Sequence, residues 1–202
     1  MFDEGYTKYH CNWIQENALP PVTLKNINQW RTKLFQLGLI GQYENGIGFG
    51  NISIRKRNSL EFIVSGTQTG HLTTLNEQHY TTVSDYDWEK NYLTCFGPIQ
   101  ASSESLTHAA IYEANSEIKG IIHVHHLKLW RQLMDQVPTT SGEIAYGTPE
   151  MAKEIIRLCQ EANLLKAQIL VMKGHEEGII AFGKSLDEAG DLLINYLKAV
   201  VI

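Results

Sequence analysis

The chain has 202 residues and 43% hydrophobic content, enough to bury one sizeable core, and it reads as a single domain over 1–202. Its formal net charge of -5 supplies no basic field for nucleic acid, so any anionic ligand must be held by a local cluster of donors and is expected to be small. No run approaches the roughly 20 apolar residues of a membrane helix, the opening MFDEGYTKYHCNW carries no secretory signal, and the isolated cysteines Cys11, Cys95 and Cys159 suit a reducing compartment; a cytoplasmic protein without a membrane role is expected.

Residues 1–20, ending in LPP, read as a loosely packed N-terminal arm. In VTLKNINQWRTKLFQLGLIG the apolar residues Ile27, Trp30, Leu34 and Leu37 recur at helical spacing, with Thr23 placed to cap the start and Gly38 or Gly41 near the stop. GNISIRKRNSLEFIVSG then predicts two strands joined at Arg57-Asn58-Ser59, because Ile52/Ile54 and Phe62/Val64 alternate on either side of a polar turn. HYTTV and NYLTCFG add strands, LTHAAIYEANSEI a helix, and GIIHVHH a buried strand. A short helix LKLWRQLMDQ follows, then a longer one TPEMAKEIIRLCQEANLL, strands AQILVM and GIIAFG, and a closing helix SLDEAGDLLINYLKAVV. Consecutive strands early and alternating elements late predict an α/β sandwich, a mixed sheet covered by helices.

The segment GIIHVHHLKLW packs three histidines into four positions. Side chains alternate along a strand, so His123 and His125 share a face and His126 points the other way. First-row transition metals such as zinc favour imidazole nitrogen, but a catalytic site wants three protein ligands, and an isolated HxH fits a solvent-exposed strand end equally well. His175, at the end of a second buried strand in LVMKGHEEGIIAFG, could complete the set; alone it would be a turn residue. Glu104 in ASSESLTHAAIY is the carboxylate candidate. It stands at a helix N-terminus where Ser102 or Ser103 could cap, and an ordinary first-turn glutamate is the competing account.

Taken in order, GNISIR, VSGTQTG, SSESLTHAAIY, IIHVHH, YGTPEMA and GHEEGIIAFG resemble the class II aldolase/adducin family, whose members include sugar-phosphate aldolases, epimerases and dehydratases. The resemblance spans about residues 23 to 202. It implies a three-layer αβα sandwich with a central mixed, mainly antiparallel sheet. It also implies a Zn2+ ion, or another divalent transition metal, on His123, His125 and His175, with Glu104 as fourth ligand or catalytic base. Asn51, Ser65, Gly66, Ser102 and Ser103 match the positions that grip a substrate phosphate, and His108 and Tyr112 match a supporting pair on one helix. Arg55 matches the end of a family motif with no assigned role.

The implied function is a metal-dependent lyase or epimerase acting on a small phosphorylated sugar through an enediolate, in a homo-oligomer, specifically a tetramer. The chain departs from the aldolases in two ways. The tyrosines that protonate their leaving aldehyde have no counterpart: Tyr146 is the sole tyrosine between Leu127 and Gly147 and matches a different family position. The segment GHEEG places Glu176 and Glu177 beside His175, which makes Glu176 the reserve acid/base. Two other functions are weighed against this one: a non-catalytic assembly module like the adducin head, which lacks the metal ligands, and a zinc hydrolase, for which no HExxH-type base pattern is present.

Overall fold

The computed structural model describes residues 7–57 and 59–201. An eight-stranded sheet forms the middle layer. In chain order the elements are β1 (His10–Gln15), α1 (Lys25–Gln36), the short pair β2 (Gly41–Gln42) and β3 (Gly48–Phe49), β4 (Asn51–Arg55), β5 (Phe62–Ser65), β6 (Tyr80–Asp87), β7 (Tyr92–Gly97), α2 (Ser105–Ala114), β8 (Gly120–His125), α3 (Leu127–Leu133), α4 (Pro149–Glu161), α5 (Leu164–Ala167), β9 (Ile169–Val171), β10 (Gly178–Gly183) and α6 (Leu186–Val201). The sheet order is β1-β7-β6-β5-β4-β8-β10-β9. All its pairings are antiparallel except β1 with β7. This is the three-layer αβα sandwich with a mixed, mainly antiparallel sheet.

Over β5, β8, β9 and β10 both faces of the sheet are buried, which explains the near-continuous apolar runs of these strands. Phe62 and Val64 of β5, Ile121 of β8 and Ile180 and Phe182 of β10 pack under α2 and α4. Their neighbours Ile63, Ile122, Val124, Ile179 and Ala181 pack under α1, α3 and α6. The period-2 rule therefore assigns His123 and His125, in step with Ile121, to the α2 face. Among the described residues no helix is long and apolar enough to cross a membrane.

Several local expectations are corrected. The arm is not loose throughout: its residues 1–6 lie outside the described residues, but Tyr9 is buried and His10–Gln15 pair along β7 as an edge strand. Thr23 does not cap α1; it sits in a 3-10 turn over Pro21–Leu24, and α1 starts without a side-chain cap. Leu37 is 44% exposed and lies past the helix end, so the apolar stripe stops at Leu34. The single helix expected over 148–165 is two, because Asn163 takes a left-handed conformation (φ 55) between α4 and α5. Asn58, in the expected β4–β5 turn, lies outside the described residues.

Candidate metal centre

The site is built where three strands come into register. On β8, His123 stands opposite Asn51 of β4 and His125 stands opposite Gly178, the first residue of β10. The turn before β10 therefore lies at the end of β8, and His175 is in that turn, its N–H donating to Met172 O and its carbonyl accepting from Gly178 N–H. The ligand atoms of His123, His125 and His175 fall within 4.8 Å of one another, and the Nε2 atoms of His123 and His125 are 3.1 Å apart. The structure thus brings together an HxH pair and a turn histidine from fifty residues downstream.

The fourth member comes from α2. Glu104 occupies the N-cap position itself, makes no capping bond, and is 2% exposed. Its Oε2 accepts from the Thr107 hydroxyl at 2.7 Å, and its Oε1 lies 3.5 Å from His175 Nδ1. Burial drives the three imidazoles toward the neutral form: His123 and His125 titrate well below the ordinary range, each pushed further by neighbouring histidines, and His175 is held at about 3 with Lys8 adding to the effect. Neutral imidazole is the form that ligates a metal, and three such nitrogens beside one carboxylate fit Zn2+ and its first-row neighbours. The donor set present is therefore suited to a divalent ion.

The outward nitrogens are also engaged. His123 Nδ1 is 3.2 Å from Ile179 O, and His125 Nδ1 is 2.8 Å from the Tyr43 hydroxyl. Such partners fix the ring orientation of metal-binding histidines. The Tyr146 ring stacks on His175 at 4.4 Å between centroids, and Lys8 Nζ lies 4.0 Å from the centroid of the same Tyr146 ring.

A cleft of about 450 Å³, the solvent at its mouth included, opens over the histidines, lined by Gly48, Gly50, Asn51, Gly66–Gly70, Ser102, Ser103, Glu104 and Tyr146. Gly70 is required for its closure: a Cβ there would sit 2.1 Å from Gly41 O. Arg31 of α1 holds this wall from behind. It is 1% exposed, and its guanidinium donates to Thr69 O at 2.9 Å, Gly70 O at 3.0 Å, Thr73 O at 3.3 Å and Leu72 O.

Of the expected phosphate-binding residues, Asn51, Gly66, Ser102 and Ser103 line the cleft. Asn51 Oδ1 is buried without a hydrogen-bond partner among the described residues. Ser65 is not at the cleft surface: its Oγ accepts from Ile52 N–H at 3.2 Å. Gly66 N–H donates to His79 O, so this residue offers shape rather than a donor. Glu176 is exposed and does not line the cleft, whereas Glu177 reaches the Tyr43 hydroxyl at 2.8 Å. His126 caps α3, accepting from Leu129 N–H.

Strand β4 faces α2 along its length. Behind Asn51, Ser53 bonds both His108 Nδ1 and Tyr112 OH at 2.8 Å. Arg55 donates to Tyr112 O and Asn115 O at the helix C-terminus, a structural role.

Sequence reading missed Tyr43 and Arg31, though signals for both were present. Asn45-Gly46 is a hairpin dipeptide that would have turned Tyr43 back toward the sheet. Arg31 falls on the same helical face as Ile27 and Leu34, a charged residue inside an apolar stripe.

Three solved structures share this arrangement of strands and helices. L-fuculose 1-phosphate aldolase is similar at a TM-score of 0.66 and 16% identity, over 91% of this chain and 84% of its own. A sugar-phosphate aldolase from Thermotoga maritima gives 0.66 and 17%, over 89% and 92%. YgbL from Escherichia coli gives 0.63 and 16%, over 89% and 86%. At such identities the likeness establishes the fold. The family model for the class II aldolase and adducin N-terminal domain matches residues 42–200, a span that holds every histidine and carboxylate of the centre, and the chain belongs to that family.

Proposed function

We propose that this protein is a metal-dependent lyase or epimerase acting on a small phosphorylated sugar, with Zn2+ or a related divalent ion held by His123, His125, His175 and Glu104. The observation that carries the reading is the convergence of three buried imidazoles and one carboxylate at the base of a cleft. When bound, the ion supplies Lewis-acid stabilisation of negative charge developing on substrate oxygen.

The chain's own groups do the rest. Glu104, on leaving its place as fourth ligand, would take or return a proton at a substrate carbon, with its Oε2 oriented by the Thr107 hydroxyl. Asn51 Oδ1 presents a buried acceptor to a substrate hydroxyl. The Ser102 and Ser103 hydroxyls and the Thr67–Gly70 loop bound the part of the cleft assigned to the phosphate, where short donors and close backbone suit a dianion. That two neighbours in fold act on sugar phosphates supports the substrate class. The family resemblance extends the proposal to a cytoplasmic homotetramer, for which light scattering is the check.

The deciding experiment is metal analysis of purified protein followed by a screen of phosphorylated ketoses and aldoses. About one divalent ion per chain and turnover of at least one sugar phosphate are expected. Metal-loaded protein that turns over none of them would leave an assembly role as the better account.

A further inference from the structure

The Tyr43 hydroxyl touches two groups at once: His125 Nδ1 at 2.8 Å and Glu177 Oε2 at 2.8 Å. The direction of these bonds follows from elementary chemistry. A carboxylate oxygen accepts, so the phenol donates its proton to Glu177 Oε2. The phenol oxygen is then left as an acceptor, and the group it faces on His125 must be Nδ1–H. That places the lone pair of His125 on Nε2, the nitrogen 3.1 Å from His123 Nε2 and turned into the histidine cluster. The main chain gives the same result for His123, since Ile179 O can only accept from Nδ1.

A tight turn and an aromatic contact hold the arrangement. Tyr43 sits at the base of a tight turn, its N–H donating to Ile47 O and its carbonyl accepting from Gly46 N–H, both at 2.9 Å. Phe49 packs on Tyr43 and His125 with centroids at 4.6 and 5.4 Å. Glu177 adopts φ 69, a conformation costly to any residue with a side chain. A glycine would take that turn without strain, so the carboxylate is present in spite of the local backbone preference.

From this geometry we infer that Glu177 and Tyr43 form a positioning relay that fixes His125 as its Nδ1–H tautomer and so sets the affinity of the centre for a divalent ion. Neither residue is among those lining the cleft; both act through His125. The inference rests on the metal-centre reading of the site.

The test measures Zn2+ affinity by competition with a chromophoric chelator in wild type, Tyr43→Phe, Glu177→Gln, the double variant and Glu176→Gln. In parallel, 15N NMR of metal-free protein reads which His125 nitrogen carries the proton. Tyr43→Phe should weaken Zn2+ binding by about 10- to 100-fold, the usual effect of removing a ligand's hydrogen-bond partner, and shift the proton from Nδ1 toward a mixture of tautomers. Glu177→Gln should weaken binding by less, because an amide can still accept from the phenol. The double variant should be no weaker than Tyr43→Phe, since Glu177 acts through the phenol. Glu176→Gln removes the same charge one residue away and should bind as wild type does. An unchanged melting temperature of metal-free Tyr43→Phe separates positioning from unfolding, and if that variant does not fold, Glu177→Ala carries the test with the same direction expected. Wild-type affinity in Tyr43→Phe, or losses that add in the double variant, would overturn the relay alone. A wild-type protein that binds no Zn2+ would instead overturn the metal reading, and the inference with it.

Discussion

The Nε2 atoms of His123 and His125 stand 3.1 Å apart on one face of β8. With both Nδ1 atoms engaged by acceptors, two lone pairs face each other, and a shared cation relieves that repulsion. His123→Ala or His125→Ala should therefore lose most of the bound divalent ion. His126→Ala should keep it, because that side chain caps α3 through Leu129 N–H; its cost is about 1 kcal/mol of stability. Metal content and thermal unfolding of the three variants check this, and equal metal loss in His125→Ala and His126→Ala would contradict the strand register.

The strand register was legible because it depends on a fixed period of two, and β8 is buried on both faces. The convergence of His175 was legible only through the family resemblance: it depends on β10 pairing with β8, a contact between residues far apart in sequence that no local pattern encodes. The arm shows the opposite failure. His10–Gln15 are mostly exposed and carry little apolar alternation, so only pairing with β7 reveals them as a strand. Arg31 stood out only by its place in the apolar stripe, since a lone arginine in an amphipathic helix is ordinarily solvated, and its four carbonyl acceptors come from a loop some forty residues on.

Glu104→Gln should keep the fold and much of the metal while turnover of a confirmed substrate falls by at least about 100-fold, the scale of general-base contributions. The amide is close in shape, and its oxygen can still accept from Thr107, as Oε2 does now. It cannot accept the substrate proton. Glu176→Gln, at an exposed position away from the cleft, should turn over as wild type. Solvent isotope exchange at the substrate carbon separates the two, and full exchange in Glu104→Gln would remove the assignment.

Stability of the metal-free protein should fall steeply in acid. Burial holds His108 at about 3, with the nearby His123 pushing the same way, against an ordinary 6.5. Above pH 6.5 the ring is neutral whether the chain is folded or not, and it adds no pH dependence. Between 6.5 and 3 the unfolded chain takes up a proton that the folded chain refuses, so this group alone removes about 1.4 kcal/mol per pH unit. His175, held at a similar value, adds a parallel loss over the same window. His108→Asn can still bond Ser53, and its urea-unfolding free energies between pH 7 and 4 should decline with a slope smaller by about one proton. Parallel slopes in variant and wild type would show that His108 does not titrate on unfolding.

Arg31 links the fold to the cleft, and its replacement should damage both. The guanidinium spans four carbonyls of residues 69–73 with its two terminal nitrogens, and burial lowers its pKa only to about 10, so it remains a cation at neutral pH. Lysine keeps the charge but offers one point donor group where a planar fork is needed. Hydrogen bonds to charged groups contribute roughly 1.5–3 kcal/mol each and buried carbonyls left unpaired are costly, so Arg31→Lys should lose about 3 kcal/mol in denaturant unfolding and Arg31→Met more. Because Thr69 and Gly70 also line the cleft, the lysine variant should raise KM for a phosphorylated substrate several-fold while kcat changes less, since Glu104 and the histidines stand on other elements. A variant as stable as wild type with unaltered KM would mean that the 69–73 loop holds its shape without Arg31, and that the phosphate is gripped elsewhere.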